Sequence, residues 1–574
     1  MPLEQVRHAI RSGDLLGAYD AAMAAMADGN DDRELRFLLV LALARMGDTD
    51  RAYALFERYD LAVDASEDIL SLRARLLKDR AIAATCASRA PLFEAASQAY
   101  LEAHSQFGGY FSLINAASLS RLAGSVDQSS QLARRVIADP DVAAPTSYFA
   151  AASAAEAWLL LGDAERAIAA ATAARALANA DLGPRGSTVR QFTLLGDADD
   201  VSAELAERLC ALLRPPPVLF FAGHIFQPDD AIEAAIAARI DAVMAASGTA
   251  IAYGALACGA DILCAEAALR RGAELHVVLP FATEDFIAES VVPGGASWLP
   301  RFQAALAAAQ SVTFASEAAY VGDPEQFQYG SNLAMGMTLL RAAHLHCGAE
   351  MLAIWNGAPP RGSGGTGGDV LRWRGLGRVA HVIDPGAIVR PPVAKARPSP
   401  VAITATRCQR AILFTDYAGF SRLGEHDLPG FWANVMGHVA AVLATAEAAI
   451  DFRNSWGDAV FAVIDDLEIA ARVALDIVSG PMVSSRDGGM RVGLHFGPVY
   501  RMVDPITGVD GYIGTEVTRA ARIEPITPVG QVYVTQPYAA MLALAGNAQF
   551  RLEYAGKVSL AKHYGTMALY RLSR

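Results

Sequence analysis

Two proline-rich breaks decide how this chain can fold. RPPPVLFFAGH begins at Arg214, and VRPPVAKARPSPVAITATR begins at Val389. A proline run removes backbone donors and cannot sit inside a helix or a central strand. The stretches on either side therefore build separate cores, and they carry different periodicities. At 574 residues the chain has the length of three or four domains. The breaks set the expected boundaries: a helical region over 1–205, an α/β region over 214–385, an extended linker over 386–406 and an α+β region over 407–574.

The first region is rich in Ala and Leu and repeats a local phrase. GDLLGAYDAA begins at Gly13 and GDTDRAYALF at Gly47, a step of 34 residues; GSVDQSSQLA and GDAERAIAAA begin at Gly124 and Gly162. Each places a small turn residue before a helix whose alanines recur about once per turn, which lets helices pack closely. A helix-pair period of this length is that of tetratricopeptide-type solenoids, with plain structural helices as the alternative. GGYFSLINAASLSRLAGS also resembles the TRAF-binding-type helical region of some stress-signalling kinases. That resemblance implies a scaffold with a protein partner and no catalysis.

Between the breaks, strand-like VLFFAG, TAIAYGAL and AELHVVLPF alternate with helix-like IEAAIAARIDAVMAAS and ADILCAEAALRRG. Such alternation predicts a Rossmann-like parallel sheet covered on both faces. Glycines at its strand ends, Gly223, Gly254 and Gly259, stand where such sheets bind ligands, or serve turns only. GALACGADILCAEAALRRGAELHVVLPF resembles the SLOG superfamily. The resemblance implies a nucleotide-derived ligand near Gly223, Gly254, Gly259, Asp261 and Glu266. A further Gly-rich loop, Gly362 to Gly368, ends at Asp369. No dinucleotide-binding or Walker pattern is present, which excludes those classes.

In the last region AILFTDYAGF ends an apolar run on Asp416, and NSWGDAVFAV sets Asp458 at a hairpin tip. Asp416 alone is either a helix cap or a cation ligand. Two aspartates at the ends of core strands share one explanation, because magnesium takes one or two carboxylates and completes its shell with water and phosphate. In GYIGTEVTRAARIEPI, Thr518 and Arg522 stand four apart and share one helix face. Lys562 lies beside a closing strand. Two acids, an arginine and a lysine suit displacement at phosphorus, where catalysis is positioning and charge neutralisation.

ILFTDYAGFSRL, NSWGDAVFAV, MRVGLHFGPVY, GYIGTEVTRAARIE and LAKHYGTMALYRL together resemble the class III nucleotide cyclase catalytic domain. The resemblance implies a ferredoxin-like domain that works as a homodimer on a nucleoside triphosphate, with two Mg2+ or Mn2+ ions per site. By position, Asp416 and Asp458 are the metal ligands, and the backbone of Tyr417, Ala418, Gly419, Phe420 and Ser421 lies along the triphosphate beside Gly457. Arg522 and Lys562 meet the phosphates, and Thr518 replaces the ribose-orienting Asn. The base-selecting positions hold Asn454 and Gly511, where the family has longer side chains, so discrimination relaxes. Asp510 substitutes only if its loop slips by one residue. ATP is the expected substrate on family grounds; a pyrimidine triphosphate, or a catalytically silent signalling module, are the alternatives.

The net charge of −13 argues against a general nucleic-acid surface. Six cysteines without metal spacing, no apolar leader in MPLEQVRHAIRSGD and no run of about 20 apolar residues predict a cytoplasmic protein without a membrane span.

Overall fold

The computed structural model describes residues 2–30, 32–63, 66–84, 86–178, 181–360, 364–391, 406–482, 488–546 and 549–574. By contact the chain divides into two compact units, Met1–Pro215 with Ala343–Cys347, and Pro216–Ala342 with Gly348–Arg574. Most of the expected linker, 392–405, lies outside the described residues.

The repeated phrase of the first unit is a helix-to-helix turn. Gly13, Gly47, Gly124 and Gly162 all take left-handed φ, between 75° and 90°, which a side chain disfavours. In three of the four, the aspartate that follows caps the next helix. Asp14 accepts from the Gly17 amide at 3.0 Å, Asp48 from Arg51 at 3.4 Å and Asp163 from Arg166 at 3.0 Å. The helices Tyr110–Leu122 and Tyr148–Leu161 meet their neighbours through fully buried alanines, among them Ala116, Ala117, Ala151 and Ala155. Small side chains bring backbones together, so this unit is built from close helix contacts.

The second unit opens on six parallel strands: β1 (Val218–Gly223), β2 (Ile251–Gly254), β3 (Glu274–Leu279), β4 (Ser311–Phe314), β5 (Ala349–Ile354) and β6 (Ala380–Ile383). Their order is β4-β3-β2-β1-β5-β6, with helices between successive strands. Chain order reverses between β1 and β5, and the crevice beyond their carboxyl ends is where open sheets of this kind take ligands.

The second sheet of the same unit holds β7 (Thr406–Ala418), β8 (Ile450–Trp456), β9 (Ala459–Ile464), β10 (Gly489–Val503), β11 (Asp510–Ile513), β12 (Val532–Thr535), β13 (Arg551–Ser559) and β14 (Thr566–Ser573). The order is β13-β14-β12-β10-β7-β9-β8, with β11 on β10. The long strands β7 and β10 pair antiparallel at its centre and place Asp416 opposite Arg491. PGFWANVMGHVAAVLATAEAA is helical, with Phe431–Met436 wound wide, as a π-helix, before Gly437–Thr445 continues. Phe431 there packs against Tyr417 and Phe420, each with ring centroids 5.0 Å away. That contact holds the turn after β7 in place.

The helix Glu325–His344, which precedes β5, joins the two sheets. Its Tyr329 hydroxyl donates to the Phe496 carbonyl at 2.8 Å. At Gly336 a Cβ would stand 2.2 Å from the Ala540 carbonyl oxygen, so only glycine permits the approach.

Candidate active site

Asp416 lies two residues before the end of β7, and Asp458 follows Gly457 in the turn between β8 and β9, where Gly457 takes φ +64°. The two carboxyls lie close enough for Asp416 to act on the protonation of Asp458. Burial first, and then the neighbouring Asp416 carboxylate, push Asp458 up to about 6. Arg491 lies against the pair, donating from Nη2 to Asp416 at 2.8 Å and bridging from Nε to Glu524 at 2.5 Å. Burial raises Glu524 to about 7; Arg491 works against the shift, and Asp416 and Asp458 add to it. Three acids and one guanidinium thus share this corner, and negative charge is in excess.

Among the described residues no set of three or more His, Cys, Asp or Glu side chains is arranged around a metal position. The facing carboxylates nonetheless fit divalent cations of the magnesium type, which need only one or two protein carboxylates.

The turn after the pair begins at Gly419, at φ +89°, and continues as a short 3-10 segment, Phe420–Arg422. Tyr417 is buried, whereas Ala418, Gly419 and Phe420 are half-buried and Ser421 is exposed. Asn454 lies exposed on β8, and its side-chain oxygen accepts from the Ser455 amide at 2.9 Å. Gly511 sits on β11 opposite Met502, with only ordinary contacts around the place a Cβ would take. Asp510 is not slipped into that place. It pairs diagonally across the strands with Arg501 on β10, Nη2 to Oδ2 at 2.6 Å, and strand alternation points it to the other face.

Thr518 and Arg522 do not share one regular helix. The helix Thr515–Ala520 ends before Arg522, whose amide donates to Arg519 in a tighter three-residue turn. The Thr518 hydroxyl donates back to Gly514 at 3.4 Å. The Arg522 Nε is buried without a hydrogen-bond partner, and the Arg522 carbonyl accepts from Ala561, next to Lys562. Lys562 itself takes a left-handed φ of 60°. The fold thus brings Arg522 and Lys562 onto adjoining segments. Among the described residues, no hydrogen bond or ion pair joins either side chain to Asp416 or Asp458.

In the first sheet Gly223 and Asp261 line a cavity of about 710 Å³ at the β1/β5 reversal, together with His224, Trp355, Asn356 and Arg390. Gly254 and Gly259 do not line it: a Cβ at Gly254 would strike Phe221, and Gly259 starts the helix Ala260–Arg270 against Phe226. Glu266 is also absent from the cavity wall. It faces away into a two-bond ion pair with Arg301, at 2.7 and 2.8 Å. The Gly-rich loop is only partly a loop, because Thr366 begins a helix that runs to Gly375. Gly364, Gly365 and Gly367 line the cavity, while Gly362 lies outside the described residues.

Sequence reasoning missed Arg491 and Glu524, which become partners of Asp416 only through the β7–β10 register. It also missed the buried group around Glu516. His495 Nε2 meets Glu516 at 2.7 Å, Arg519 meets it at 2.9 Å, and Ser316, beyond β4, donates to it at 3.2 Å. Glu516 belongs to the helix that carries Thr518.

Two family models match the chain. One, described as Tetratricopeptide Repeats-Sensor, covers residues 15–120; the other, the Adenylate and Guanylate cyclase catalytic domain, covers residues 459–574. Solved structures that resemble it include the guanylate cyclase domain of RhGC from Catenaria anguillulae in complex with GTP. That domain is 19% identical over 29% of this chain and 98% of that one, with a TM-score of 0.26. The adenylyl cyclase CyaB from P. aeruginosa is 13% identical over 30% and 97%, with a TM-score of 0.25. Adenylate cyclases from Trypanosoma brucei in their monomeric state are 20% identical over 29% and 89%, with a TM-score of 0.25. No curated protein matches this chain. The chain carries a class III adenylate/guanylate cyclase catalytic domain at its C-terminal end and a tetratricopeptide-type domain at its N-terminal end. The cyclase match begins at Ala459, so Asp416 and Asp458 both precede it.

The described cysteines Cys210, Cys258, Cys264, Cys347 and Cys408 are free thiols. No helix among the described residues is long and apolar enough to cross a membrane.

Proposed function

We propose that this chain is a nucleotide cyclase that converts a nucleoside triphosphate, ATP first among them, to a 3′,5′-cyclic nucleotide and pyrophosphate. The facing pair Asp416 and Asp458 carries the reading. Magnesium or manganese held there would supply charge for the triphosphate and acidify the ribose 3′-hydroxyl. The turn from Tyr417 to Ser421 runs on from the pair and lays its backbone along the phosphates. Arg522 and Lys562 neutralise the charge that builds as the 3′-oxygen bonds to the α-phosphorus and pyrophosphate departs, and the Thr518 hydroxyl orients the ribose.

Among the described residues no hydrogen bond or ion pair joins Arg522 or Lys562 to the aspartates, and a site completed across a homodimer would bring them together. Exposed apolar residues beside the pair and along the β10–β11 hairpin, Trp456, Val503, Val509 and Ile513, suit a surface covered by a second copy. Base selection is loose in this reading. Gly511 offers no side chain, and Asn454 has only its amide donors free of the contact to Ser455. Incubation with manganese and each of the four ribonucleoside triphosphates, read by mass spectrometry, should give a cyclic purine product with less than about tenfold preference between bases. A pyrimidine product alone would move the assignment to a pyrimidine cyclase, and no product from any of the four would move it to a silent binding module.

The first sheet of the second unit, read as a SLOG-like domain with Gly223 and Asp261 at its nucleotide-type cleft, regulates the cyclase. Asp261 and Asp369 are both raised to about 7 by burial, and each accepts a hydrogen bond, Asp261 from the Ala257 amide and Asp369 from the Ser331 hydroxyl. The contacts that transmit the effect are Tyr329 to Phe496 and Ser316 to Glu516. Tyr329→Phe and Ser316→Ala each remove a buried hydrogen bond worth on the order of 1 kcal/mol. The expected result is a several-fold change in kcat with KM held. An unchanged kcat in both variants would remove this route.

A further inference from the structure

The first unit encloses a cavity of about 630 Å³ whose wall is unusually cationic. Arg45 comes from the helix Arg33–Met46, Arg75 and Lys78 from Glu67–Ala83, and Arg190 from Leu182–Gly196; His346 completes the group. The Arg75 charge acts on all four others. Burial and then Arg75 push Arg45 down to about 9 and Lys78 to about 8, and burial with Arg190 and Arg75 pushes His346 to about 4.

The acids present do not balance this charge. Asp79 is shared by Arg75 at 3.5 Å and Arg190 at 3.4 Å. Glu156 is buried, which raises its proton affinity, and it accepts from Ser118 and Gln191. Asp68 and Asp197 lie exposed at the cavity mouth. Among the described residues no acid pairs with Arg45, and its buried Nε has no hydrogen-bond partner. A buried guanidinium left among like charges lowers stability unless a counter-charge arrives.

Aromatic rings share the wall with these cations. Phe37, Tyr100 and Tyr110 line the cavity. Phe111 and Phe149 meet edge to face at 6.5 Å while each leaves over 40% of its surface exposed. A fold that only needed to pack its helices would bury those rings and give Arg45 an acid.

We infer that this cavity binds a nucleotide, its phosphate among Arg45, Arg75, Lys78 and Arg190 and its base against Phe111 and Phe149. Guanidinium groups hold phosphate through paired charge-assisted bonds, and aromatic edges and faces hold a flat ring. The size suits one small ligand. The site is independent of the cyclase reading and of the cleft in the second unit.

Titration calorimetry of the full chain in EDTA, which silences metal-dependent binding, tests it with AMP, GMP, CMP, UMP and inorganic phosphate. At least one monophosphate should bind in the micromolar range and more tightly than phosphate alone. Arg45→Met should weaken that binding by at least about tenfold, the loss of one charge-assisted bond. It should leave the melting temperature of the unliganded chain unchanged or higher, because it removes an unpaired, repelled charge. Phe149→Ala should weaken nucleotide binding and leave phosphate binding as it was. The inference fails if no monophosphate binds the wild-type chain, if binding ignores Arg45, or if phosphate binds as tightly as every nucleotide. A several-degree loss of melting temperature in Arg45→Met would also overturn it, by making Arg45 a structural residue.

Discussion

Asp416→Asn and Asp458→Asn should each lower the rate of cyclic-nucleotide formation by at least about 10³-fold, on the scale of losing a preorganised charge at a reacting phosphate, and neither should destabilise the chain. The two carboxyls repel across a short gap, and burial with that repulsion raises Asp458 to about 6. Turning either into a neutral amide removes the repulsion and keeps an oxygen that can still accept from Arg491 in the Asp416 variant. Melting temperatures at or above wild type, together with lost turnover, separate a cation-holding role from a structural one. Wild-type rates in either variant would sink the metal assignment. An Arg491→Ala control sharpens the test: its loss leaves Asp416, Asp458 and Glu524 facing one another without a counter-charge, so that variant should melt lower than the aspartate variants.

The elements that could be read in the chain were those written in local chemistry. The glycine turns of the helical unit act through the conformation of one residue and, in three of the four, through the aspartate cap of the next, so short phrases sufficed. Asp416 and Asp458 were legible because each ends or precedes an apolar strand, where a carboxylate needs a reason. Arg491 and Glu524 were not, because their meeting with Asp416 depends on the β7–β10 register and on a turn more than 30 residues further along. Thr518 and Arg522 were spaced as one helix face, but the helix ends at Ala520, and spacing alone cannot register where a turn tightens. Glu266 looked like a cleft residue because it shares a helix with Asp261. The two are five positions apart, which sends their side chains to different faces and leaves Glu266 to Arg301. The cationic cavity was hidden for a different reason. Its residues, Arg45, Arg75, Lys78, Arg190 and His346, come from three helices and a turn far apart in the chain, and each alone reads as a solvated charge.

A site completed across a homodimer makes a prediction that a single-chain site cannot. Asp416→Asn removes a carboxylate and Arg522→Ala removes the guanidinium, and each chain alone should be inactive by at least about 10²-fold. If the aspartates of one protomer work with Arg522 and Lys562 of its partner, a mixed dimer holds one site carrying both lesions and one site carrying neither. Random exchange of equal amounts puts half the chains into mixed dimers with one intact site of two, so about a quarter of wild-type activity should return on mixing. The recovery should rise with total chain concentration and fall on dilution, tracking dimer formation by sedimentation. A mixture that stays inactive while mixed dimers are shown to form would mean that Asp416 and Arg522 serve the same chain. The buried Arg522 Nε would then have to find its partner through a rearrangement of the turn after Ala520.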